Sequence, residues 1–348
     1  VNDEGEAGVT MKAAVLEEYG LDLVVRNVAR PVIRTGQVLV QVVASGVNPI
    51  DTKLRAGGAV GGAARARVGL PAVLGLDVAG VVVEVGPGVT RFAVGDEVYG
   101  LAGGVGDLSG SLAEYVAADA DLLARKPSRL SMAEAAALPL AVITAWEALV
   151  DKADVHDGHR VLVHGGAGGV GHVAIQLALA RGAEVFATGS PRSLETIRHL
   201  GAVPIDYAAT AVGEYVAAAT GGAGFDVVLD TVGGTTLDAS FEAVLPYTGR
   251  VVSILGWGTH SLAPLSFRGA TYSGVFTLLP LLTGVDRQRQ GEILAQAAAL
   301  VDAGRLSPIL DPGHYDLDSV MTAHKVVESR AASGKVVVKV GSEPAARR

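Results

Sequence analysis

Residues 161–180 read VLVHGGAGGVGHVAIQLALA, and the reading of this stretch decides the fold. A short apolar run, 161–163, leads into the glycine-packed residues 165–171, and an apolar amphipathic segment follows. Gly166, Gly168 and Gly171 match the G-x-G-x-x-G spacing of dinucleotide-binding turns. Each glycine has a physical reason. The first allows a tight strand-to-helix turn, the second lets a pyrophosphate approach the backbone, and the third lets helix pack on strand. Phosphate oxygens then meet unpaired N–H groups at the positive end of a helix. With 46 glycines in 348 residues, however, the spacing is expected about once by chance. Only the surrounding sequence gives it weight.

Outward from the turn, strand and helix signals alternate. Strands are expected at 161–163, 184–188, 203–205, 227–230 and 250–255, with helices at 170–180, 194–200, 212–219 and 235–245 between or after them. This alternation is the mark of a parallel sheet wrapped by helices, and the glycine turn falls at its first strand–helix junction, where a cofactor site belongs. Upstream, Ser131 and Glu134 have capping-box spacing and open an alanine-rich helix that should stop near Leu138-Pro139, followed by a second helix at 144–152. From Met11 to about Pro127 the pattern is β-rich instead. Runs at 13–16, 23–28, 38–44, 78–85, 98–101 and 112–116 are bounded by glycine or proline, which predicts a compact barrel-like unit. Residues 56–69 (AGGAVGGAARARVG) read as a mobile surface loop with Arg65 and Arg67 solvated. The tail carries helices near 290–303 and 317–329 and a valine-rich strand at 335–340. The expected domains are an extension at 1–10, a β-rich domain at 11–130 completed by about 305–342, and a cofactor domain at 131–275.

Composition excludes several function classes. The formal charge of -8, with lysine and arginine scattered, disfavours nucleic acid as a partner. The chain has no cysteine, so disulfides and thiolate metal sites are excluded. No uninterrupted apolar run approaches about 18 residues, so no membrane span is expected. Residues 1–10 (VNDEGEAGVT) are acidic and small, and read as a disordered extension ahead of Met11. A cytoplasmic protein is the expectation. His156 and His159 have loose ligand spacing, but an exposed turn is the preferred reading.

Beyond single motifs, the segments ASGVNPIDTKLRAG (44–57), LGLDVAGVVVEVGPGVTRFAVGDEVYG (74–100), ITAWEAL (143–149), DVVLDTVGG (226–234) and SGKVVVKV (333–340) resemble the medium-chain dehydrogenase/reductases, in the zinc-free quinone oxidoreductase branch. The resemblance runs from about Met11 to Val340. It implies an α/β chain with a GroES-like β-barrel catalytic domain and a Rossmann doubly wound parallel sheet, carrying out NAD(P)H-dependent hydride transfer. In zinc-dependent members a cysteine and a histidine are among the metal ligands. The corresponding stretches here read Val47-Asn48-Pro49-Ile50-Asp51 and Gly75-Leu76-Asp77, so no metal is expected. A short-chain dehydrogenase is closed as an alternative, because none of the eight tyrosines precedes a lysine by four residues.

The second strand of the alternating region decides the cofactor. Where an NAD site has a carboxylate for the ribose 2′-OH, this chain has Thr188-Gly189-Ser190-Pro191-Arg192. Ser190 offers a hydroxyl and Arg192 a guanidinium suited to a 2′-phosphate, so NADPH is expected, with a solvated Arg192 as the plain alternative. The resemblance adds Tyr207 beside the adenine ribose and Thr144 at the nicotinamide ribose, although a helix cap would also explain Thr144. Ala167, Gly169 and Val170 complete the turn with Gly166 and Gly168. Val232, Gly233, Ile254, Leu255 and Gly256 follow strand ends and should contribute backbone.

Without a metal, the chemistry belongs to the nicotinamide, and a quinone or enone acceptor needs only a donor for the developing oxyanion. Asn48 and Lys53 are the candidate donors. Lysine at that position occurs in enone-reducing relatives, whereas many quinone reductases have tyrosine there, and a surface lysine is the competing reading. Tyr99 and Trp257 are either cleft-lining or ordinary packing aromatics. The expected function is NADPH-dependent reduction of a small quinone or enone, by a homodimer formed through an edge strand near 250–255. An NADPH-binding sensor with little turnover is the alternative, and a biosynthetic reductase shares the chemistry.

Overall fold

The computed structural model describes residues 9–57 and 66–342. The expected extension at 1–10 therefore lies largely outside the described residues, as does most of the 56–69 loop with Arg65. The chain forms two compact units. One comprises Val1–Leu140, Leu278–Asp302 and Ile309–Arg348, and the other Ala141–Thr277 and Ala303–Pro308.

The first unit is built on β-strands. They are β1 (Thr10–Leu16), β2 (Val24–Ala29), β3 (Gln37–Val47), β4 (Ala72–Val73), β5 (Asp77–Val85), β6 (Glu97–Leu101), β7 (Tyr115–Asp119) and β8 (Leu123–Arg125). β3 is the spine. It pairs antiparallel with β5 and β7, and nearly all its residues are buried, so its sequence, QVLVQVVASGV, shows no clean alternation. Val38, Val40, Val42, Val78, Val82 and Val98 form the core beneath it. The expected strand at 112–116 begins only at Tyr115. Arg67 is not merely solvated, since its guanidinium lies 4.6 Å over the Tyr19 ring.

Ser131 does cap a helix, accepting from Glu134 N, but that helix is short, Met132–Ala136. Gly46 on β3 explains its close seat: a Cβ there would stand 2.4 Å from the Ala136 carbonyl oxygen. This packing puts residues 131–140 in the first unit rather than with the cofactor domain. The Met132–Ala136 helix stops just ahead of the expected Leu138-Pro139, and Pro139 opens the next helix, Pro139–Trp146, because a first-turn proline forfeits no hydrogen bond. A π-helical turn, Glu147–Lys152, continues it.

In the second unit six parallel strands follow: β9 (Arg160–His164), β10 (Glu184–Gly189), β11 (Val203–Asp206), β12 (Val227–Asp230), β13 (Arg250–Ser253) and β14 (Thr271–Gly274). Their order is β11-β10-β9-β12-β13-β14, so the winding reverses beside β9, the strand that enters the glycine turn. Helices Gly171–Ala180, Leu194–His199, Val212–Thr220 and Thr235–Ala243 alternate with the strands. Leu162, Phe186, Val228 and Val251 from the sheet pack with Phe225, Phe241 and Leu237. The strand expected at the sheet edge, 250–255, is interior. The edge is β14, whose short, half-polar sequence TYSG carries no strand signal.

The chain then returns to the first unit with helix Arg287–Asp302, β15 (Tyr315–Asp316), helix Val320–Glu328 and β16 (Val336–Lys339), which pairs antiparallel with β3. Residues 278–302 thus join the first unit, while 303–308 stay with the second. Among the described residues no helix is long and apolar enough to cross a membrane.

Candidate functional site

The glycine turn divides its labour differently from the simple fingerprint. Gly165, not Gly166, takes the left-handed backbone, at φ +74. Gly166 is needed because a Cβ would lie 2.6 Å from Ala187 Cβ on β10. Gly171 is needed because a Cβ would meet the Gly165 carbonyl oxygen at 2.1 Å, where the helix sits on the turn. Gly168 faces nearly open space, with only the Gly165 oxygen at 3.1 Å. Gly166 N–H donates to Thr188 O and Gly168 N–H to Gly165 O, which closes the loop. The N–H groups of Ala167, Gly169 and Val170 find no acceptor among the described residues. Three unpaired donors before the ten-residue helix Gly171–Ala180 make an anion cradle.

Behind the turn runs a row of polar residues not singled out from the sequence. Four neighbouring parallel strands end their apolar runs in register: Thr188 beside His164, His164 beside Asp230, and Asp230 beside Ser253. All four are buried. His164 Nδ1 lies 3.1 Å from Thr188 Oγ1, and Thr231 Oγ1 donates to His164 O at 2.6 Å. Asp230 Oδ1 accepts from Val232 N and Gly233 N at 3.0 and 2.9 Å, while Oδ2 accepts from Ser253 Oγ at 2.7 Å. Ser253 Oγ accepts in turn from Leu255 N. The row therefore fixes the loops carrying Val232 and Leu255, two of the expected backbone contacts. Burial pushes His164 down to about 4, although the nearby Asp230 charge works the other way. Its Nε2 is buried without a partner among the described residues.

The remaining expected cofactor residues fall around this row. Ser190 precedes the turn Pro191–Ser193, which carries Arg192 fully on the surface; Arg192 makes no hydrogen bond or ion pair with described residues. Tyr207 is 62% exposed, and its backbone N–H donates to Gly189 O. Thr144 is buried and shares a 2.9 Å hydrogen bond with Thr277. At Gly256 a Cβ would collide with the Tyr272 hydroxyl at 2.1 Å. Val232 is exposed, and Ile254 N–H donates to Asp230 O. Trp257 is partly exposed and meets Phe276 edge-on, whereas the His156 and His159 rings lie 3.6 Å apart at a tilt of 39°.

In the first unit Asn48 and Lys53 part company. Asn48 is buried at the head of helix Pro49–Arg55, and its N–H donates to Asp51 Oδ2 at 2.8 Å. Its side chain does not cap the helix. Nδ2 donates to Asp77 Oδ2 at 2.9 Å, and Oδ1 accepts from the Lys335 ammonium. Asp77 also accepts from Leu140 N at 2.8 Å and lies 3.5 Å from Lys335 Nζ. Burial pushes the Asp77 carboxyl up, and the Lys335 charge pulls it back most strongly; the three donors aimed at it suit the ionised form. Asp51 is pushed up to about 7, first by burial, against the pull of Asn48 N–H. Lys53, by contrast, is exposed on the last turn of the helix. Tyr99 is wholly buried and donates to Leu294 O at 2.6 Å, which makes it a packing residue.

Asn48 and Asp77 occupy the stretches that hold ligands in zinc-dependent relatives. An ammonium already sits between their oxygens and would repel a divalent cation, and zinc's preferred N/S donors are not among them. These residues do not fit a catalytic zinc.

The alcohol dehydrogenase GroES-like domain family matches residues 34–128, and the zinc-binding dehydrogenase family matches residues 200–338. An NADPH-dependent alkenal/one oxidoreductase of Arabidopsis thaliana, chloroplastic, is 36% identical over 97% of this chain and 82% of its own length. The crystal structure of an alcohol dehydrogenase superfamily protein from Novosphingobium aromaticivorans is 54% identical, with a TM-score of 0.92 over 95% of this chain and 100% of that one. The quinone oxidoreductase from Coxiella burnetii is 32% identical, with a TM-score of 0.80 over 96% and 100%.

Proposed function

The chain belongs to the medium-chain dehydrogenase/reductase superfamily, in its zinc-free quinone oxidoreductase branch, and from that premise we propose that it reduces α,β-unsaturated carbonyls or quinones with NADPH. The carrying observation is the anion cradle of Ala167, Gly169 and Val170 at the carboxyl ends of the parallel strands, beside the reversal of strand order. When bound there, the cofactor supplies a hydride. The residues of the chain do the rest. Ala167, Gly169 and Val170 hold the pyrophosphate, with Gly166 and Gly168 leaving it room. Arg192 and Ser190 take the 2′-phosphate, which a carboxylate at that strand end would repel, and Tyr207 lies along the adenosine. Thr144 and the backbone at Val232, Leu255 and Gly256 orient the nicotinamide side. Asn48 donates to the acceptor oxygen. Lys53, exposed and outside the buried network, is the weaker candidate for that donation.

A homodimer through the free edge of β14 and a cytoplasmic location complete the proposal. The test is NADPH consumption by the full chain across 1,4-quinones, enones and saturated aldehydes. Turnover confined to the first two classes, with NADPH far better than NADH, supports the reading. Tight NADPH binding without turnover would replace it with a sensor or partner-binding role.

A further inference from the structure

The buried pair His164 and Thr188, side by side on β9 and β10, shares its hydrogens in one consistent way. His164 Nδ1 lies 3.1 Å from Thr188 Oγ1, and Gly165 N–H donates to the same oxygen at 3.3 Å. Burial, which pushes His164 down to about 4, keeps the ring neutral at neutral pH, so it carries one hydrogen on one of its two nitrogens. A hydroxyl carries one hydrogen and two lone pairs. With the ring hydrogen on Nδ1, Oγ1 would accept twice. Its own hydrogen and the buried Nε2 lone pair would then both lack a partner among the described residues. With the ring hydrogen on Nε2, the Thr188 hydroxyl donates to Nδ1 and an Oγ1 lone pair stays on Gly165 N–H. Only Nε2–H is left over, on a ring where the Asp230 charge favours a hydrogen.

Gly165 is where this pair reaches the glycine turn. Its left-handed backbone, at φ +74, bends the chain out of β9, and its carbonyl accepts from Gly168 N–H at 2.9 Å. Gly171 packs against that same carbonyl. The next N–H, of Gly166, donates to Thr188 O at 2.9 Å, so one residue of β10 holds two successive donors of the turn. We propose that His164 and Thr188 are positioning residues for the cofactor. With its hydrogen on Nε2, the imidazole takes the Thr188 hydroxyl hydrogen and turns an Oγ1 lone pair onto Gly165 N–H, fixing the turn that presents the Ala167, Gly169 and Val170 N–H groups to a pyrophosphate. The inference rests on the NADPH-binding part of the reading above, not on which acceptor is reduced. Donors already fixed bind an anion without being ordered first, and a loosened turn binds it less tightly. A plainer role is open to the pair: merely satisfying each other inside the sheet.

Two measurements on the full chain separate the roles. Nitrogen-15 NMR of the histidine rings, with His164 assigned through its backbone, reads the tautomer directly and needs no variant. The expected signature at neutral pH is a hydrogen on Nε2 and none on Nδ1. A hydrogen on Nδ1 overturns the proposal, whether or not any variant folds. The second measurement compares Thr188→Val, which keeps the shape and loses the hydroxyl, with Thr188→Ser, which keeps the hydroxyl. Valine should raise the NADPH dissociation constant about tenfold, and serine should return it to within about twofold of wild type. A folded Thr188→Val chain with a lower thermal midpoint but wild-type NADPH affinity overturns the proposal and leaves a packing pair. Failure of serine to rescue the affinity overturns it too. A wild-type chain that does not bind NADPH overturns the cofactor reading and this inference together. NADPH binding without turnover of any acceptor overturns the reductase reading alone.

Discussion

Among the described residues each unit buries a cluster of acidic and polar side chains, and these two clusters are built on opposite plans. In the first, formal charges oppose each other inside the fold: Asp77 against Lys335, with Asn48 between them and Asp51 alongside. In the second, the row Thr188–His164–Asp230–Ser253 has one acidic residue, and its partners are hydroxyls, backbone N–H groups and an imidazole held neutral. A buried ion pair resists the loss of either partner, because the survivor is left charged and uncompensated. A dispersed hydrogen-bond row loses only the bonds of the residue removed. The first cluster should therefore behave as an all-or-none lock, and the second as a graded brace for the cofactor loops.

The most severe way to break that contrast is Asp77→Ala. It leaves the Lys335 ammonium buried with only an amide oxygen, and should cost about 3–5 kcal/mol in urea unfolding. A loss below about 1 kcal/mol would mean that the first cluster is as forgiving as the second.

Acidity sharpens the contrast, since the two clusters respond with opposite signs. Folded His164 stays neutral down to about 4, while the unfolded chain protonates near 6.5. The unfolded state binds more protons in that window, so stability falls as pH drops from 6.5 to 4, by at most about 3 kcal/mol. His324, buried in the first unit with both ring nitrogens unpartnered among the described residues, adds a loss in the same window. Asp51 runs the other way. Its folded carboxyl keeps a proton up to about 7, whereas the unfolded one releases it near 3.8, so its share is lost as pH rises between those values. In a series of thermal midpoints between about pH 4 and pH 7, His164→Asn should remove a rise of stability with pH and Asp51→Asn should remove a fall, so the two variants tilt the same limb in opposite directions. Both variants tilting it the same way would end the distinction.

Next in size comes Asp230→Ala, which strands the N–H groups of Val232 and Gly233 and the Ser253 hydroxyl. About 1–3 kcal/mol of stability should go, with NADPH binding weakened because the Val232 and Leu255 loops loosen. Calorimetric titration of NADPH into the folded variant checks the second half. Unchanged affinity would show that the row braces the sheet and not the cofactor.

The two plans also differ in how far they can be read from the chain. The row belongs to strands whose apolar runs are recognisable, and each run closes on a polar residue: VLVH, VFAT, VVLD, RVVS. In parallel strands that enter the sheet in step, such endings align by register, so the signal is present at the very ends of the expected strands. The first cluster joins residues 29 and 287 positions apart, and only closure of β16 onto β3 brings Lys335 to Asn48. No local spacing announces that contact. Lys335 stands in a recognised segment, SGKVVVKV, with nothing beside it to mark a role. Lys53 lies in the right region by sequence, yet its exposed position does not support the donor role. The same limit hides β14, since four half-polar residues become a strand only when β13 offers them a partner.

Arg192→Ala has the smallest effect and isolates what lies outside both clusters. The guanidinium is exposed and bonded to no described residue, so truncation should leave urea unfolding within about 0.5 kcal/mol of wild type. What it should lose is the 2′-phosphate. One charge-assisted contact of about 1.4 kcal/mol corresponds to a tenfold rise in the NADPH dissociation constant, with NADH little changed. Because neither buried cluster touches this side chain, selectivity would then be separable from stability within one strand–helix junction. Equal losses for the two cofactors would instead place the 2′-phosphate elsewhere, with Ser190 and Tyr207 the next residues to truncate. An unchanged NADPH affinity would return Arg192 to the solvated surface and leave only the missing carboxylate at the end of β10 to favour NADPH.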